Sequence, residues 1–230
     1  ASAQQAPAKP ETPKLIVAIA VDQFSSDIFG EYRDAYTGGL KLLTQGVVFP
    51  RGHQGHAATE TCPGHPTILT GSRPSRTGIV ANDWQDPNLP RPTAKGGVSY
   101  DIYCAEKPQG TATNFMASGG YVVSPHFLKV PTLGDRMKAA NPAARVLSVS
   151  GKDRGAVMMG GHNSDLTMWW DGKGFTTYAD RLASLPAGIA SLNVRATKAI
   201  AKPKPVGLPA RCTRLSQAVP LDKYGDVGVL

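Results

Sequence analysis

Residues 59–71 read Thr-Glu-Thr-Cys-Pro-Gly-His-Pro-Thr-Ile-Leu-Thr-Gly and decide how the rest of the chain is interpreted. A helix is predicted to begin at or just after Thr61, because Pro63 is tolerated in a first helical turn and Gly71 is a typical helix end. The start of a helix offers unpaired backbone N–H groups and positive dipole character to an anion. The threonine hydroxyl at this position is therefore a candidate for chemistry on an anionic group.

The run from Lys14 to Asp22, upstream of this helix, is continuously apolar until its final aspartate. Such a short run is typical of a central parallel strand buried on both faces. A second buried strand is predicted at 145–150, and the loop Gly151–Arg154 follows it directly. Functional groups in α/β sheets collect at the carboxyl ends of strands. Asp22 and the 151–154 loop are therefore expected at one edge of the sheet.

The remaining pattern alternates helical and extended segments and predicts an α/β fold, with a central, mostly parallel sheet covered by helices on both faces. Residues 72–131 are rich in Gly, Pro and Asn and are expected to form a loop-rich cover over a site. The other predicted elements are helices at 26–35, 38–45, 132–140 and 185–193, a short strand at 47–50, a hairpin at 168–178 and a linker at 201–209.

Composition narrows the classes of function. The chain has 230 residues, 41% of them hydrophobic, and a formal net charge of +8. Its basic residues are dispersed and do not alternate with aromatic residues, so nucleic acid is not an expected partner. A milder attraction for small anions fits the charge better. No apolar stretch approaches the length of a membrane span.

The N-terminus and the cysteines indicate whether the protein is exported from the cytoplasm. Residues 1–13 begin with small residues, like the remainder of a cleaved signal peptide, and predict a flexible lead-in; an ordinary tail is the alternative. Export would permit one disulfide among Cys62, Cys104 and Cys212. The expected pair is Cys104 with Cys212, but the sequence alone does not fix the pairing. A cysteine partner outside this chain is also compatible with the odd count.

A longer pattern surrounds the helix start. Thr-x-Thr-x-Pro-Gly-His is followed by Ile-Leu-Thr-Gly and then by Arg-Pro-x-x-x-Gly-Ile-x-x-Asn, which ends at Asn82. It resembles the nucleophile segment of the alkaline phosphatase superfamily, which includes nucleotide pyrophosphatase/phosphodiesterases and bacterial alkaline phosphatases with a threonine nucleophile. The resemblance implies that Thr61 is phosphorylated during the reaction and that Asp22 and Thr61 ligate metal. Two zinc ions are expected, and a structural calcium site is left open.

Three further residues refine the expected activity. By resemblance, Asn82 donates a hydrogen bond to a nonbridging phosphate oxygen, and Lys152 and Arg154 match the Lys-x-Arg element of threonine-type alkaline phosphatases. Fixed cationic donors favour a phosphate monoester, which carries more charge than a diester. The expected reaction is therefore hydrolysis of small phosphate monoesters. The alternatives are a phosphodiesterase or nucleotide pyrophosphatase of the same superfamily, and a non-catalytic phosphate-binding domain.

The expected metal site is incomplete in this sequence. Relatives supply their remaining ligands later in the chain as Asp-x-x-x-His, then Asp-His, then a final histidine, and none of these follows Arg154. The chain is therefore expected to be the N-terminal portion of a longer enzyme and inactive alone. His53 and His56 have a spacing that a metal could use but are not expected to bind one. His65, inside the motif, is expected to bond locally.

Overall fold

The structure is a computed structural model that describes residues 13–93, 96–108, 121–202, 219–221 and 225–227. Its α-helices in chain order are α1 (Ser26–Tyr32), α2 (Gly38–Leu43), α3 (Thr61–Thr70), α4 (Pro74–Thr77), α5 (Leu133–Ala140), α6 (Asp153–Gly160) and α7 (Gly188–Ala201). Short 3-10 segments lie at Arg33–Ala35 and Ala179–Ser184. Within these ranges, no helix combines the length and the apolarity needed to cross a membrane. Nearly all of the predicted lead-in and most of the predicted 201–209 linker lie outside the described residues.

The strands are short. They are β1 (Asp83–Gln85), β2 (Arg91–Pro92), β3 (Val98–Ser99), β4 (Asp101–Tyr103), β5 (Glu106–Lys107), β6 (Val122–Val123), β7 (Leu147–Ser150), β8 (Leu166–Trp170), β9 (Phe175–Thr176), β10 (Val219–Leu221) and β11 (Gly225–Val227). In the three-stranded sheet β7–β8–β9, the first two strands are parallel and the last two antiparallel. The other strands pair antiparallel as β1–β4, β2–β3, β5–β6 and β10–β11. Helices around a parallel pair confirm the α/β class.

The unit β7–α6–β8 positions the predicted cationic loop. Its two strands are parallel, with Leu147 opposite Leu166, and α6 connects them. Because α6 begins at Asp153, the basic residues on either side of this aspartate lie at the carboxyl end of β7. A Cβ at Gly155 would lie 2.5 Å from the Ser150 hydroxyl, so the helix approaches the strand where it carries no side chain. The predicted helix entry and 168–178 hairpin are confirmed, and so is a strand within 145–150, but its predicted burial is wrong because Leu147 and Val149 are 65% and 56% exposed.

Helix α5 begins with a capping box. The Thr132 hydroxyl accepts the N–H of Asp135 at 3.2 Å, and the Asp135 carboxylate accepts the N–H of Thr132 at 2.9 Å. The same carboxylate accepts the backbone N–H groups of His162 and Asn163. Burial opposes ionisation of Asp135, but these N–H groups outweigh it and lower its pKa. The predicted helix from a Thr132 cap to Ala140 is confirmed.

The core lies where α3 and α6 pack together and meet the loop region. Its fully buried side chains are those of Cys62, Ile79, Cys104, Ala105, Ala156, Val157 and Met158. On one side of it, the rings of Trp169 and Tyr178 meet edge to face with their centroids 5.5 Å apart. The two helices are therefore held by apolar burial, which is the main stabilising term in a fold of this kind.

The predicted buried strands at Lys14–Asp22 and 47–50 are wrong. Residues 15–21 pair with no strand among the described residues, and their apolar side chains are largely exposed. Phe49, in the second segment, is 81% exposed. An apolar run predicts side chains that burial would stabilise. A strand also requires a neighbouring backbone that pairs with its N–H and C=O groups. The helices predicted at 26–35 and 38–45 are confirmed by α1, the following 3-10 turn and α2.

The expected disulfide is also wrong. Cys104 is bonded to Cys62, with their Cα atoms 6.3 Å apart, and Cys212 lies outside the described residues. Asn82 holds the two cysteines together, because its carbonyl accepts the N–H of Cys104 at 3.0 Å and its side chain accepts the N–H of Cys62 at 2.9 Å. The pairing therefore follows from tertiary hydrogen bonds that sequence spacing does not reveal.

The described parts of 72–131 consist of short strand pairs and turns, as predicted, and of the short helix α4, which was not predicted. A buried ion pair organises them: Arg91 Nη2 lies 2.7 Å from Glu106 Oε1. That carboxylate oxygen also accepts the N–H of Tyr103 at 3.1 Å. Buried charges need such partners, so the pair ties β2, β4 and β5 into one unit. That this region covers a site stays a prediction.

Candidate active site

Thr61 stands at the start of α3. Glu60, the residue before it, is extended, and Thr61 is the first helical residue. The Thr61 hydroxyl donates a hydrogen bond to Oδ2 of Asp22 at 3.0 Å, although the two residues are 39 positions apart. The structure therefore brings the predicted nucleophile and the predicted metal ligand into contact at a helix N-terminus, where backbone N–H groups favour anions.

Asp22 lies in a turn rather than at the end of a strand. Gln23, the next residue, has a φ of 60°, in the left-handed region that residues with side chains seldom adopt. The Asp22 carboxylate is about half exposed, and its Oδ1 lies 3.8 Å from Nε2 of His65. Both carboxylate oxygens thus face side chains of α3, and about half of the side chain stays accessible to solvent.

Asn82 is oriented through both its backbone and its side chain. Its backbone N–H donates to Oε2 of Glu60 at 2.6 Å, and its side-chain oxygen accepts the N–H of Cys62 at 2.9 Å. Because the amide oxygen accepts the N–H of Cys62, the NH2 end of the same amide is left as a donor. A side-chain amide held next to the start of α3 is compatible with the predicted phosphate donor.

His65 lies one turn after Thr61 on the same face of α3. Its ring hydrogen-bonds the backbone of Thr61, which confirms the predicted local contact. Burial lowers the pKa of His65, although the negative charge of Asp22 opposes this effect and the positive charge of Arg154 adds to it. The predicted ligand and the predicted cationic donor therefore both lie near a single imidazole.

Lys152 and Arg154 flank the first residue of α6. Lys152 is the exposed N-cap, and Arg154 is half-buried two positions later. A Cβ at Gly155 would lie 3.9 Å from Nε2 of His65, so this helix start is held against α3. Asp22, Thr61, Asn82 and Arg154 thus come together around α3 from four separate parts of the sequence, whereas Lys152 is exposed.

Four residues at this site were missed by sequence reasoning. Glu60 orients Asn82, and Asp153 accepts hydrogen bonds from the hydroxyls of Tyr103 and Tyr121. The two acids could be found from their positions in the sequence, because Glu60 directly precedes Thr61 and Asp153 separates Lys152 from Arg154. The tyrosines lie in the loop-rich region, where sequence pattern offers no comparable signal.

Asp22 and Thr61 fit part of a zinc site. Their facing oxygens are 3.0 Å apart. Two oxygen ligands of a tetrahedral zinc ion, each at about 2.0 Å, lie about 3.3 Å from each other. The pair can therefore occupy two positions around one ion. In the described part of the chain, no group of three or more His, Cys, Asp or Glu residues could hold a metal.

A cavity of about 1010 Å³ opens next to these residues. Its walls come from residues 19–25, from α2 and from the Thr59–Ile68 side of α3, and they are mainly apolar. Asp22, Glu60 and His65 provide polar groups in its lining. The proposed ligand and nucleophile helix thus border a large open space rather than packed protein.

Comparison with known proteins shows which family the chain belongs to. A family model described as type I phosphodiesterase / nucleotide pyrophosphatase matches residues 16–191. The chain belongs to this family, within the alkaline phosphatase superfamily. Its matched region contains all the candidate site residues, from Asp22 to Arg154.

Known alkaline phosphatases are similar in sequence to this chain over nearly its whole length. The alkaline phosphatase PhoK of Sphingomonas sp is 55% identical across 87% of the chain, and PhoD of Zymomonas mobilis is 44% identical across 94%. The crystal structure of wild type alkaline phosphatase PafA superposes with a TM-score of 0.66 at 29% identity over 87% of the chain. The chain spans 34% and 36% of the two curated relatives and 38% of the PafA chain, about a third of their length.

Proposed function

We propose that this chain carries the nucleophile and the phosphate-binding groups of an exported alkaline phosphatase that hydrolyses small phosphate monoesters through a phosphothreonine at Thr61. The supporting observation is the 3.0 Å hydrogen bond from the Thr61 hydroxyl to Asp22 at the start of α3. The names of the relatives agree with this activity. Export to the periplasm or the outside is part of the proposal, since the bonded Cys62 and Cys104 suit an oxidising compartment.

In the proposed reaction, Oγ1 of Thr61 loses its proton to water and bonds to phosphorus, while the bond to the leaving oxygen breaks and that oxygen takes a proton from water to depart as the alcohol. The Asp22 carboxylate holds the hydroxyl in place beforehand. The Asn82 side-chain amide and the cationic groups of Lys152 and Arg154 bind the nonbridging oxygens. Water then cleaves the phosphothreonine and releases phosphate. A zinc ion held by Asp22 and Thr61 would lower the pKa of the hydroxyl, and a second zinc is proposed with ligands beyond these residues.

The PafA structures support the assignment of these four groups. A second PafA structure, with a TM-score of 0.64, carries substitutions at a threonine, an asparagine, a lysine and an arginine. Its threonine and asparagine are 21 positions apart, and its lysine and arginine are two apart. Thr61 and Asn82 have the same separation here, as do Lys152 and Arg154. Equal spacing on a shared fold favours equivalent placement.

Substrate choice separates this proposal from its main alternative. The description of the matched family favours a phosphodiesterase or nucleotide pyrophosphatase as the second candidate. Two fixed cations stabilise a doubly charged monoester more than a singly charged diester. The Lys152→Ala/Arg154→Ala double variant should therefore lose about a hundredfold or more in monoester kcat/KM and much less on a diester.

The test uses the complete natural protein loaded with zinc, with p-nitrophenyl phosphate and bis-p-nitrophenyl phosphate as substrates. Lys173→Ala, at an exposed turn residue far along the chain, is the matched control and should change neither rate. Equal losses on both substrates would contradict the monoesterase assignment. A protein that binds phosphate but no zinc, and hydrolyses neither ester, would instead identify a non-catalytic phosphate-binding domain.

A further inference from the structure

Two buried polar side chains and one half-buried one form a cluster at the start of α6. The hydroxyls of Tyr103 and Tyr121 donate to the two carboxylate oxygens of Asp153 at 2.7 and 2.6 Å. Tyr103 is 3% exposed and Asp153 is 8% exposed. The two tyrosine rings meet edge to face with centroids 4.8 Å apart. Each oxygen of the carboxylate therefore accepts from a different donor, one at the end of β4 and one just before β6.

The cluster is connected to Arg154 through both backbone and side chain. Oδ1 of Asp153 accepts the backbone N–H of Arg154 at 2.7 Å. The Arg154 side chain lies close to Tyr103 and Tyr121, since its positive charge lowers their pKa values against the larger opposing effect of burial. Hydrogen bonds to an ionised carboxylate are among the stronger ones in proteins, and their geometry is restrictive. The arginine is thus attached by its backbone to the bonded carboxylate and adjoins the same two tyrosines.

The cluster is also connected to the nucleophile helix. Tyr103 is followed by Cys104, which is bonded to Cys62, the residue after Thr61. The N–H of Cys104 donates to the carbonyl of Asn82 at 3.0 Å. Tyr103 is therefore linked to Cys62, the neighbour of Thr61, through one peptide bond and one disulfide. Thr61, Asn82 and Arg154 share one cross-linked frame.

We propose that Tyr103, Tyr121 and Asp153 are positioning residues that fix the Arg154 guanidinium relative to Thr61, an inference that rests on the proposed function. Three apolar side chains would fill the same volume without desolvating a carboxylate. A buried charge is costly unless it is fully hydrogen-bonded, and here the bonding partners lead directly to the cationic donor. The arrangement stabilises the fold less than apolar side chains would, but it holds the Arg154 cation in place at the anion site.

The tyrosines remain donors under alkaline conditions. Burial and the adjacent Asp153 carboxylate raise the pKa of both Tyr103 and Tyr121 well above the ordinary value of about 10. A tyrosinate would face a carboxylate in a site shielded from water, which explains the direction of the shift. The hydrogen bonds from both tyrosines to Asp153 therefore persist at the pH where monoesters are fully deprotonated.

The first test is a double-mutant cycle in the complete natural protein. Tyr121→Phe removes one hydroxyl and should lower monoester kcat/KM about tenfold. In an Arg154→Ala background the same change should cost less than about twofold, because the group that it positions is absent. Tyr178→Phe is the matched control, since Tyr178 is a buried core tyrosine that packs on Trp169, and it should leave kcat/KM unchanged.

A second measurement separates this inference from the proposed function. Side-chain N–H resonances of Arg154 can be followed by NMR in the present chain, without any turnover. Protection of these protons from solvent exchange should be lost in Tyr103→Phe and kept in Tyr178→Phe, with both variants cooperatively folded by thermal melting. Unchanged protection, or an equal kinetic loss with and without Arg154, would overturn the positioning role. A protected Arg154 in a protein without monoesterase activity would refute only the proposed function.

Discussion

The segment of residues 13–52 and the region of residues 61–178 differ in what surrounds their apolar side chains. No residue of the first is buried, and Val17 is 66% exposed. The second contains the core, in which Met158 is fully covered. Apolar composition is common to both, so the difference comes from neighbours. A hydrophobic run identifies side chains that packing would stabilise, but only a partner element supplies that packing.

The candidate active site joins these two regions. Asp22 comes from the exposed segment, whereas Thr61, His65 and Asn82 come from elements packed on the core. The phosphate-binding side is therefore built on rigid structure, and the ligand-bearing side is attached by few contacts. Extensive exposed apolar surface marks a place where other structure packs. The exposed apolar segment also carries Asp22, so structure that packed on this segment would lie beside the proposed metal ligand.

The largest stability effect is expected at the bond between Cys62 and Cys104. Their sequence separation of 42 closes a long loop, and the chain-entropy model gives about 4 kcal/mol for such a cross-link. Cys62→Ala/Cys104→Ala should lower the free energy of unfolding by that order, measured by denaturant titration. Cys212→Ser is the control and should leave the disulfide intact by mass spectrometry. Loss of the disulfide in Cys212→Ser would refute the pairing.

A pair of truncations tests the contrast between the regions directly. Met158→Ala should destabilise the chain by about 3 kcal/mol, because it leaves a cavity among fully buried neighbours. Val17→Ala removes a side chain that is already in solvent, and its effect should stay within about 0.5 kcal/mol. Both values follow from chemical denaturation of this chain. Similar losses for the two variants would show that residues 15–21 are packed after all.

The smallest effect concerns alkaline pH and the buried tyrosines. The raised pKa values of Tyr103 and Tyr121 mean that the folded state binds their protons more tightly than the unfolded state does. Their contribution to stability is therefore complete below pH about 10 and declines as the pH rises above it. Unfolding free energies of wild type and Tyr121→Phe should converge between neutral and strongly alkaline pH. A constant difference across this range would contradict the raised pKa.

Sequence patterns predicted the elements whose signals are local. Pro63 in the first turn and Gly71 at the end delimit α3, and Thr132 marks the start of α5 as a capping residue. The strand before Gly151 was predicted from a short apolar run, and the loop that follows it from position. The resemblance around Thr61 gave the candidate residues, and the structure brings Asp22, Thr61 and Asn82 together.

The remaining features depend on contacts between distant residues. The run at 15–21 has the pattern of a buried strand, but no pattern states whether a paired backbone is present. Cys62 and Cys104 are joined through Asn82, and Tyr121 reaches Asp153 across 32 positions. Such hydrogen bonds leave no periodic trace in a sequence. Positioning residues are consequently harder to predict than the residues they position.

The most direct measurement is to identify the phosphorylated residue. The complete natural protein, loaded with zinc, is mixed with a phosphate monoester, quenched in acid and digested, and its peptides are analysed by mass spectrometry. The account predicts one phosphoryl group on the peptide that contains Thr61, and none in Thr61→Ala. A phosphoryl group on another residue, or undiminished turnover by Thr61→Ala, would contradict it.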